Sequence, residues 1–154
     1  MKRLPEFVEA RKRNWLRLRE GLAGMENYLE FALPTHATSW TREKGFTWDD
    51  SGCKTDCSWF GFKITVKETA PFTRTDLAQH LDKHKIGNRM LFGGNLLRQP
   101  AFVHMLRERP GSMRVVGELE GADRIMNQTL FLGTYPGLTE TQLNFMIQAI
   151  CEIV

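Results

Sequence analysis

A chain of 154 residues with 42% hydrophobic residues and ten phenylalanines can bury one substantial core, which excludes extensive disorder. Its formal net charge of +3 is too small to indicate a nucleic-acid partner, and no apolar run approaches the roughly 20 residues that span a membrane. The first residues lead into a charged segment and not into the apolar centre of a signal peptide. We therefore expect one cytoplasmic domain over residues 1–154 that binds neither nucleic acid nor a membrane.

The N-terminal region, residues 1–25, predicts a leading helix over 5–22. Pro5 suits the first turn of a helix, and Gly21 and Gly24 end the apolar pattern at helical spacing. The other face of this helix is basic, which is more often a solvated surface than a phosphate site. Because the helix begins so near the first residue, we expect it to continue upstream or to pack against something upstream.

The next segments predict a short strand, a long loop and a second strand. Residues 29–33 fit the first strand, and residues 35–57 read as one long loop rich in Thr, Ser, Gly and Asp. Residues 59–67 alternate between two faces, as a half-buried strand does. The alternation assigns Phe60, Phe62, Ile64 and Val66 to the core and Gly61, Lys63 and Thr65 to the opposite face.

Two capped helices are predicted in the second half of the chain. Thr73 caps a helix that runs to about Lys85, and Thr139 with Gln142 forms the capping box of the last helix. Hydrophobic periodicity and turn residues predict further strands at 88–92, 113–116 and 129–132, and helices at 100–107 and 118–127. This element order favours an α+β fold, a two-layer sandwich with helices on one face of a mostly antiparallel sheet.

One set of residues resembles a zinc site. Cys53 and Cys57 are four residues apart in the polar loop, and His80 and His84 lie one turn apart on a helix. Structural zinc cysteines usually lie closer together, on a tight turn. The simpler interpretation is therefore two free thiols and two solvent-facing histidines, and we assign no metal ligand.

The loop around Gly93 and Gly94 is the strongest candidate binding site. It carries amide and guanidinium donors that suit sugar hydroxyls or phosphate, on a backbone that a ligand can approach closely. The alternative is an ordinary polar turn between a strand and a helix. The candidate substrate-binding residues are Arg89, Asn95, Arg98 and Gln99.

No pattern indicates catalysis by this chain alone. The sequence contains no recognisable nucleophile with its base, phosphate-binding loop or dinucleotide motif. We assign no catalytic or cofactor-binding residue and expect the isolated chain to be inactive.

Six segments carry a family resemblance. In chain order they resemble the C-terminal third of the CDP-4-keto-6-deoxyglucose 3-dehydrases of lipopolysaccharide synthesis, a branch of the DegT/DnrJ/EryC1/StrS sugar aminotransferase family. The resemblance covers nearly the whole chain outside residues 35–57. The segments are LPEFVEARK (4–12), SWFGF (58–62), KIGNRMLFGGNL (85–96), RQP (98–100), DRIMN (123–127) and YPGLTE (135–140).

The resemblance implies the small domain of a fold-type-I enzyme of deoxysugar biosynthesis. Such an enzyme binds pyridoxamine or pyridoxal phosphate (PMP or PLP) in a large domain, uses histidine in place of the usual lysine, and receives electrons through a [2Fe-2S] cluster from a reductase partner. These parts would lie upstream of the present chain, in a missing N-terminal large domain that the leading helix (residues 1–25) would join to this one. Cys53 and Cys57 do not match the cluster motif. The resemblance also implies that the loop lies near the cleft that holds the nucleotide-sugar substrate, and that Tyr135 and Pro136 shape the final turn.

Two other functions remain open, a zinc-stabilised interaction module and a stand-alone binding module. A sheet that binds nucleic acid without sequence preference needs exposed aromatic residues beside basic ones. We expect Phe60, Phe62 and Phe131 to lie in the core, which weighs against nucleic-acid binding.

Overall fold

The computed structural model describes residues 3–154, which form five α-helices, six strands and two short 3-10 helices. The 3-10 helices are Ala23–Met25 and Leu96–Arg98. The α-helices are α1 (Leu4–Gly21), α2 (Arg74–Lys83), α3 (Pro100–Glu108), α4 (Glu120–Gln128) and α5 (Glu140–Cys151). The strands are β1 (Leu29–Phe31), β2 (Ala37–Thr41), β3 (Gly45–Trp48), β4 (Gly61–Val66), β5 (Asn88–Met90) and β6 (Thr129–Gly133).

The main sheet contains four strands in the order β1-β4-β6-β5, and every neighbouring pair is antiparallel. One face of this sheet, with α1, α2 and α5, forms the hydrophobic core. Phe62 on β4 and Leu130 and Leu132 on β6 are fully buried there, and Trp15 of α1 stacks on Trp59 with ring centroids 4.3 Å apart. The predicted α+β class with its antiparallel sheet is confirmed.

The caps of α2 and α5 form as the sequence predicts. The Thr73 hydroxyl accepts from the backbone N–H of Asp76, whose carboxylate accepts from the Thr73 N–H. Thr139 and Gln142 make the same reciprocal pair at α5. Each cap satisfies backbone donors at a helix start and so fixes where the helix begins.

The face of the main sheet opposite the core is only partly covered. α4 contacts β4 and β6, and Arg124 on α4 forms an ion pair with Glu30 on β1. Under this cover, the hydroxyls of Thr65 and Thr129 hydrogen-bond to each other at 2.9 Å and are buried. Towards β5, the same face carries Arg89, which is exposed, and Phe131, which is half-buried.

Residues 35–57 are not one loop, as the sequence predicted, because they contain the hairpin β2-β3. Trp40 lies opposite Phe46 in this hairpin and is buried. The Trp40 and Phe31 rings lie 4.6 and 4.9 Å from the guanidinium of Arg19, a residue that also pairs with Glu26. These cation–π contacts fasten the hairpin to α1 and β1. The high content of Ser, Thr and Gly concealed the two strands.

Two further predictions are wrong. Residues 113–116 form no strand, and Val115 and Val116 are exposed, because the segment pairs with no other strand of residues 3–154. Phe60 is 67% exposed and not in the core. β4 begins only at Gly61, so the strand alternation does not reach Phe60. Phe62 does lie in the core, as predicted.

Truncation of a core side chain on β6 should reveal how much the sheet–helix core contributes to stability. We expect Leu132→Ala to lower the free energy of unfolding by about 2–5 kcal/mol, because it removes buried methyl groups and leaves a cavity. Val116→Ala, at an exposed site, should change it by no more than about 0.5 kcal/mol. Urea unfolding of both variants measures the difference, and equal values would contradict the assigned core.

Candidate functional site

The glycine-containing loop after β5 is held in one conformation by local hydrogen bonds. Asn95 is buried, and its side-chain oxygen accepts from the backbone N–H of Leu97, so that Asn95 caps the second 3-10 helix. The side-chain amide of Gln99 donates to the carbonyl of Gly93 at 2.8 Å. The loop is therefore closed on itself before α3 begins.

Asp123 on α4 ties this loop to the helix. Its carboxylate accepts from Nε and Nη2 of Arg98, at 2.5 and 2.6 Å, and from the Asn95 amide at 2.8 Å. The Arg98 guanidinium, with a further contribution from Asn95, lowers the pKa of Asp123 to about 2. The two-point contact between the guanidinium and the carboxylate fixes the orientation of the Arg98 side chain as well as its distance from Asp123. We refer to Asn95, Arg98 and Asp123 as the loop brace.

Gly94 allows the loop and α4 to approach each other closely. Its φ of +56° lies in the left-handed region, where glycine is favoured. A Cβ atom at this position would lie 2.6 Å from the Met126 Cβ and 2.9 Å from its Cα. Any larger residue would therefore force the loop away from α4.

Arg89 differs from the other candidate residues. It is exposed on β5, and its side chain makes no hydrogen bond or ion pair with residues 3–154. Asn95, Arg98 and Gln99, in contrast, have partners within the domain. Of the four predicted substrate-binding residues, Arg89 alone has its full set of donors available to a ligand.

A cluster of three aromatic rings, one of which is the cross-strand neighbour of Arg89, was not recognised as part of a site from the sequence. Phe131 is directly opposite Arg89 in the pairing of β5 with β6 and is half-buried on the open face of the sheet. Its ring centroid lies 5.6 Å from that of Phe60 and 6.0 Å from that of Phe92. Phe131 was predicted in the core, but Leu130 and Leu132 on either side of it take that face.

Phe92 is the most exposed of these rings, at 76%, and its backbone is strained. Its φ of +48° is uncommon for a bulky residue and costs of order 1–3 kcal/mol. The turn that follows, in which the Gly94 N–H donates to the Leu91 carbonyl, holds Phe92 in this conformation. A large hydrophobic residue directly before two glycines was the sequence signal for this feature.

The four residues considered for zinc do not come together. Within residues 3–154, no group of three or more His, Cys, Asp or Glu side chains could hold a metal ion. His80 donates from Nε2 to the Ala149 carbonyl on α5, and His84 donates from Nδ1 to the His80 carbonyl. The two histidines are thus half-buried against α5 and not solvent-facing as expected. Burial raises the pKa of the Cys57 thiol, which makes its thiolate less available.

A cluster of His36, Asp49 and Ser51 has the composition of a catalytic triad but lacks its geometry. His36 Nδ1 lies 3.1 Å from the Asp49 carboxylate and 3.2 Å from the Ser51 hydroxyl. In a triad the two partners contact different ring nitrogens, so that one orients the ring and the other loses a proton. Hydrogen bonds from Ser51, more than the one from His36, lower the pKa of Asp49. The cluster closes a turn after β3.

Comparison with known proteins gives the family. Residues 1–151 match the DegT/DnrJ/EryC1/StrS aminotransferase family. The chain belongs to this family. It is 43% identical over 147 residues to lipopolysaccharide biosynthesis protein RfbH of Salmonella typhimurium, covering 96% of this chain and 28% of that protein. It is 34% identical over 154 residues to dTDP-4-dehydro-2,6-dideoxy-D-glucose 3-dehydratase of Saccharopolyspora spinosa, covering all of this chain and 28% of that protein.

Solved structures of the family share the fold. The E. coli GDP-4-keto-6-deoxy-D-mannose-3-dehydratase, solved with bound hydrated PLP, matches with a TM-score of 0.72 and 20% identity. That match covers 97% of this chain and 32% of the solved chain. The resemblance of the six sequence segments is thus confirmed, and the chain spans less than a third of the relatives' length. Among the described residues, no helix is both long and apolar enough to cross a membrane.

The loop brace predicts a defined dependence of stability on pH. The folded-state pKa of Asp123, about 2, is below its ordinary value of 3.8, so its carboxylate stabilises the fold above about pH 4. This contribution is lost as the pH falls through about 2. We expect Asp123→Asn to be less stable than the wild type at pH 5, with the difference vanishing near pH 2. Thermal unfolding between pH 2 and 5 measures it.

Glu118→Gln is the matched control for that experiment. It removes one exposed carboxylate that has no hydrogen-bond partner in residues 3–154. A wild-type-like pH profile for Asp123→Asn would show that the brace does not contribute to stability.

Proposed function

We propose that this chain is the small domain of a PLP- or PMP-dependent nucleotide-sugar 3-dehydratase of deoxysugar and lipopolysaccharide biosynthesis. In this role it folds against a large domain, helps to close the active-site cleft and helps to hold the nucleotide sugar. Its family, its fold and the names of its relatives support the reaction class. The observation that carries the domain's role is that Arg89, with unoccupied donors, lies on β5 directly before a loop that the brace fixes to α4.

The four predicted substrate-binding residues divide into two roles in this proposal. Arg89 contacts the diphosphate of the substrate, for which a planar guanidinium offers paired donors. Asn95, Arg98 and Gln99 act as positioning residues, because their hydrogen bonds fix the loop and not the ligand. Positioning on a braced loop favours catalysis by orienting the substrate, and closure of the domain excludes water.

In this proposal, the residues of this chain hold none of the cofactor groups of the parent enzyme. Cys53 and Cys151 are exposed and Cys57 is half-buried, and the described residues contain no group of three or more His, Cys, Asp or Glu side chains that could hold a metal ion. His80 and His84 contact α5, which lies on the helical side of the sheet. PLP or PMP, the cluster and the reductase partner therefore belong, in this proposal, to the parts of the enzyme outside this chain.

The alternative of a zinc-stabilised module has lost its structural basis, since its four ligands are not gathered. The alternative of a stand-alone binding module has gained one observation. Phe60 and Phe92 are exposed and both contact Phe131, the cross-strand neighbour of Arg89, although the sequence placed Phe60 in the core.

Replacement of Arg89 in the complete enzyme tests the proposed role of the site. Arg89→Ala should raise the KM for the nucleotide sugar by about 10- to 150-fold, because a charged hydrogen bond contributes about 1.5–3 kcal/mol. The melting temperature should not change, since Arg89 has no partner within the domain. Arg107→Ala, also exposed, is the matched control. An unchanged KM in Arg89→Ala would contradict the proposal.

Titration with the cofactor tests whether catalysis resides in this chain. We expect the 154-residue chain to bind no PLP or PMP at 1:1 stoichiometry and to be inactive without the large domain. Absorbance spectroscopy would detect a complex, and the complete enzyme provides the positive control. A stoichiometric complex with the isolated chain would contradict the assignment of the cofactor to the large domain.

A further inference from the structure

The open face of the main sheet carries a row of alternating cationic and aromatic side chains. Lys63 on β4 and Arg89 on β5 both lie directly opposite Phe131 on β6, so the three residues are cross-strand neighbours on one face. Neighbouring strands lie about 5 Å apart, so the Cα atoms of Lys63 and Arg89 are roughly 10 Å apart, with Phe131 on the strand between them. Neither cation has an ion-pair partner in residues 3–154.

Two further rings extend this row into a surface. Phe60 and Phe92 are 67% and 76% exposed, and their centroids lie 6.2 Å apart at an interplanar angle of 29°. Both rings also contact Phe131. We call Phe60, Lys63, Arg89, Phe92 and Phe131 the aromatic–cationic face.

The backbone leaves room for this arrangement. A Cβ atom at Gly61 would lie 2.5 Å from the Phe131 ring, so the absence of a side chain there lets the ring lie across β4. At the other end of the same sheet face, α4 covers Thr65 and Thr129. The aromatic–cationic face is thus the uncovered part of an otherwise protected surface.

From this geometry we infer that the aromatic–cationic face binds the nucleoside diphosphate part of the substrate. The exposed rings of Phe60 and Phe92 stack with the nucleobase, and Arg89 and Lys63 pair with the diphosphate. Aromatic rings beside unpaired cations suit a flat base joined to an anionic group, and stacking accepts any base. The inference rests on the proposed function, because Arg89 belongs to both sites, and it adds the base-binding residues.

Binding to the 154-residue chain tests the inference directly. CDP and GDP should both shift the backbone NMR signals of β5, β6 and residues 60–63, since stacking is tolerant of the base. Pyrophosphate should shift the signals near Arg89 and Lys63 only, and cytidine those near Phe60 and Phe92. Phe92→Ala should weaken CDP binding by about 5- to 150-fold, the usual effect of losing one stacked ring.

Control variants separate stacking from general effects. Phe145→Ala removes another exposed ring, one that lies on α5 near His84, and should leave CDP binding unchanged. Lys63→Gln should weaken CDP and pyrophosphate but not cytidine. Because Phe92 is exposed, its replacement should not prevent folding, which circular dichroism verifies.

Three outcomes would overturn the inference. The first is that CDP and GDP leave this face undisturbed while Phe92→Ala keeps a normal KM in the complete enzyme. The second is that Phe92→Ala destabilises the complete enzyme at unchanged KM, which would show that this face packs against protein and does not bind the nucleotide. The third is that a ten-residue oligothymidine binds much more tightly than CDP, which would indicate single-stranded nucleic acid. The proposed function would survive the first two outcomes if Arg89→Ala alone still raised KM.

Discussion

The register of β6 between β4 and β5 is the constraint on which the rest of this domain depends. Antiparallel pairing sends Leu130 and Leu132 into the core, and it therefore sends Phe131 to the opposite face. A slip of one residue would exchange the two faces, bury Phe131 and expose both leucines. The same register that builds the core thus sets Arg89 and Lys63 on either side of one ring.

A second level of organisation joins the loop to α4. β5 is an edge strand of the main sheet, and hydrogen bonds to Asp123 determine how the chain leaves that edge. Without these hydrogen bonds the loop would be free to move, because segments that connect strands and helices are usually mobile. Here the contact of Arg98 with Asp123 and the buried amide of Asn95 hold the loop in one position. Arg89 therefore lies next to a fixed loop.

The sequence predicted most of the scaffold because its signals are local. Capping at Thr73 and Thr139 and the alternation after Gly61 depend on residues a few positions apart, and the structure contains all three features. The hairpin in 35–57 was missed because its strands depend on a distant partner, the contact of Trp40 with Arg19. The strand predicted at residues 113–116 is wrong for the opposite reason. These residues have local apolar character, but a strand forms only where a partner strand is available.

The position of the candidate site could be predicted from the sequence. Which of its residues are free to bind a ligand and which hold the loop could not. The donors around Gly93 marked the loop, yet nothing local indicates that Asp123 would engage Arg98 and Asn95. Their separation along the chain hides the contact from any pattern of spacing. The exposed rings were missed for a related reason, because an aromatic residue next to a strand is normally assigned to the core.

The close approach of Gly94 to Met126 also bears on how such a domain can diverge. A side chain at Gly94 would collide with the backbone of α4, so Gly94 can hardly be replaced in evolution without displacing the loop. Phe60 and Phe92, in contrast, project outward and contribute little to the core. Selection for a different ligand would therefore act on the exposed rings, by exchanging side chains on a backbone that stays constant.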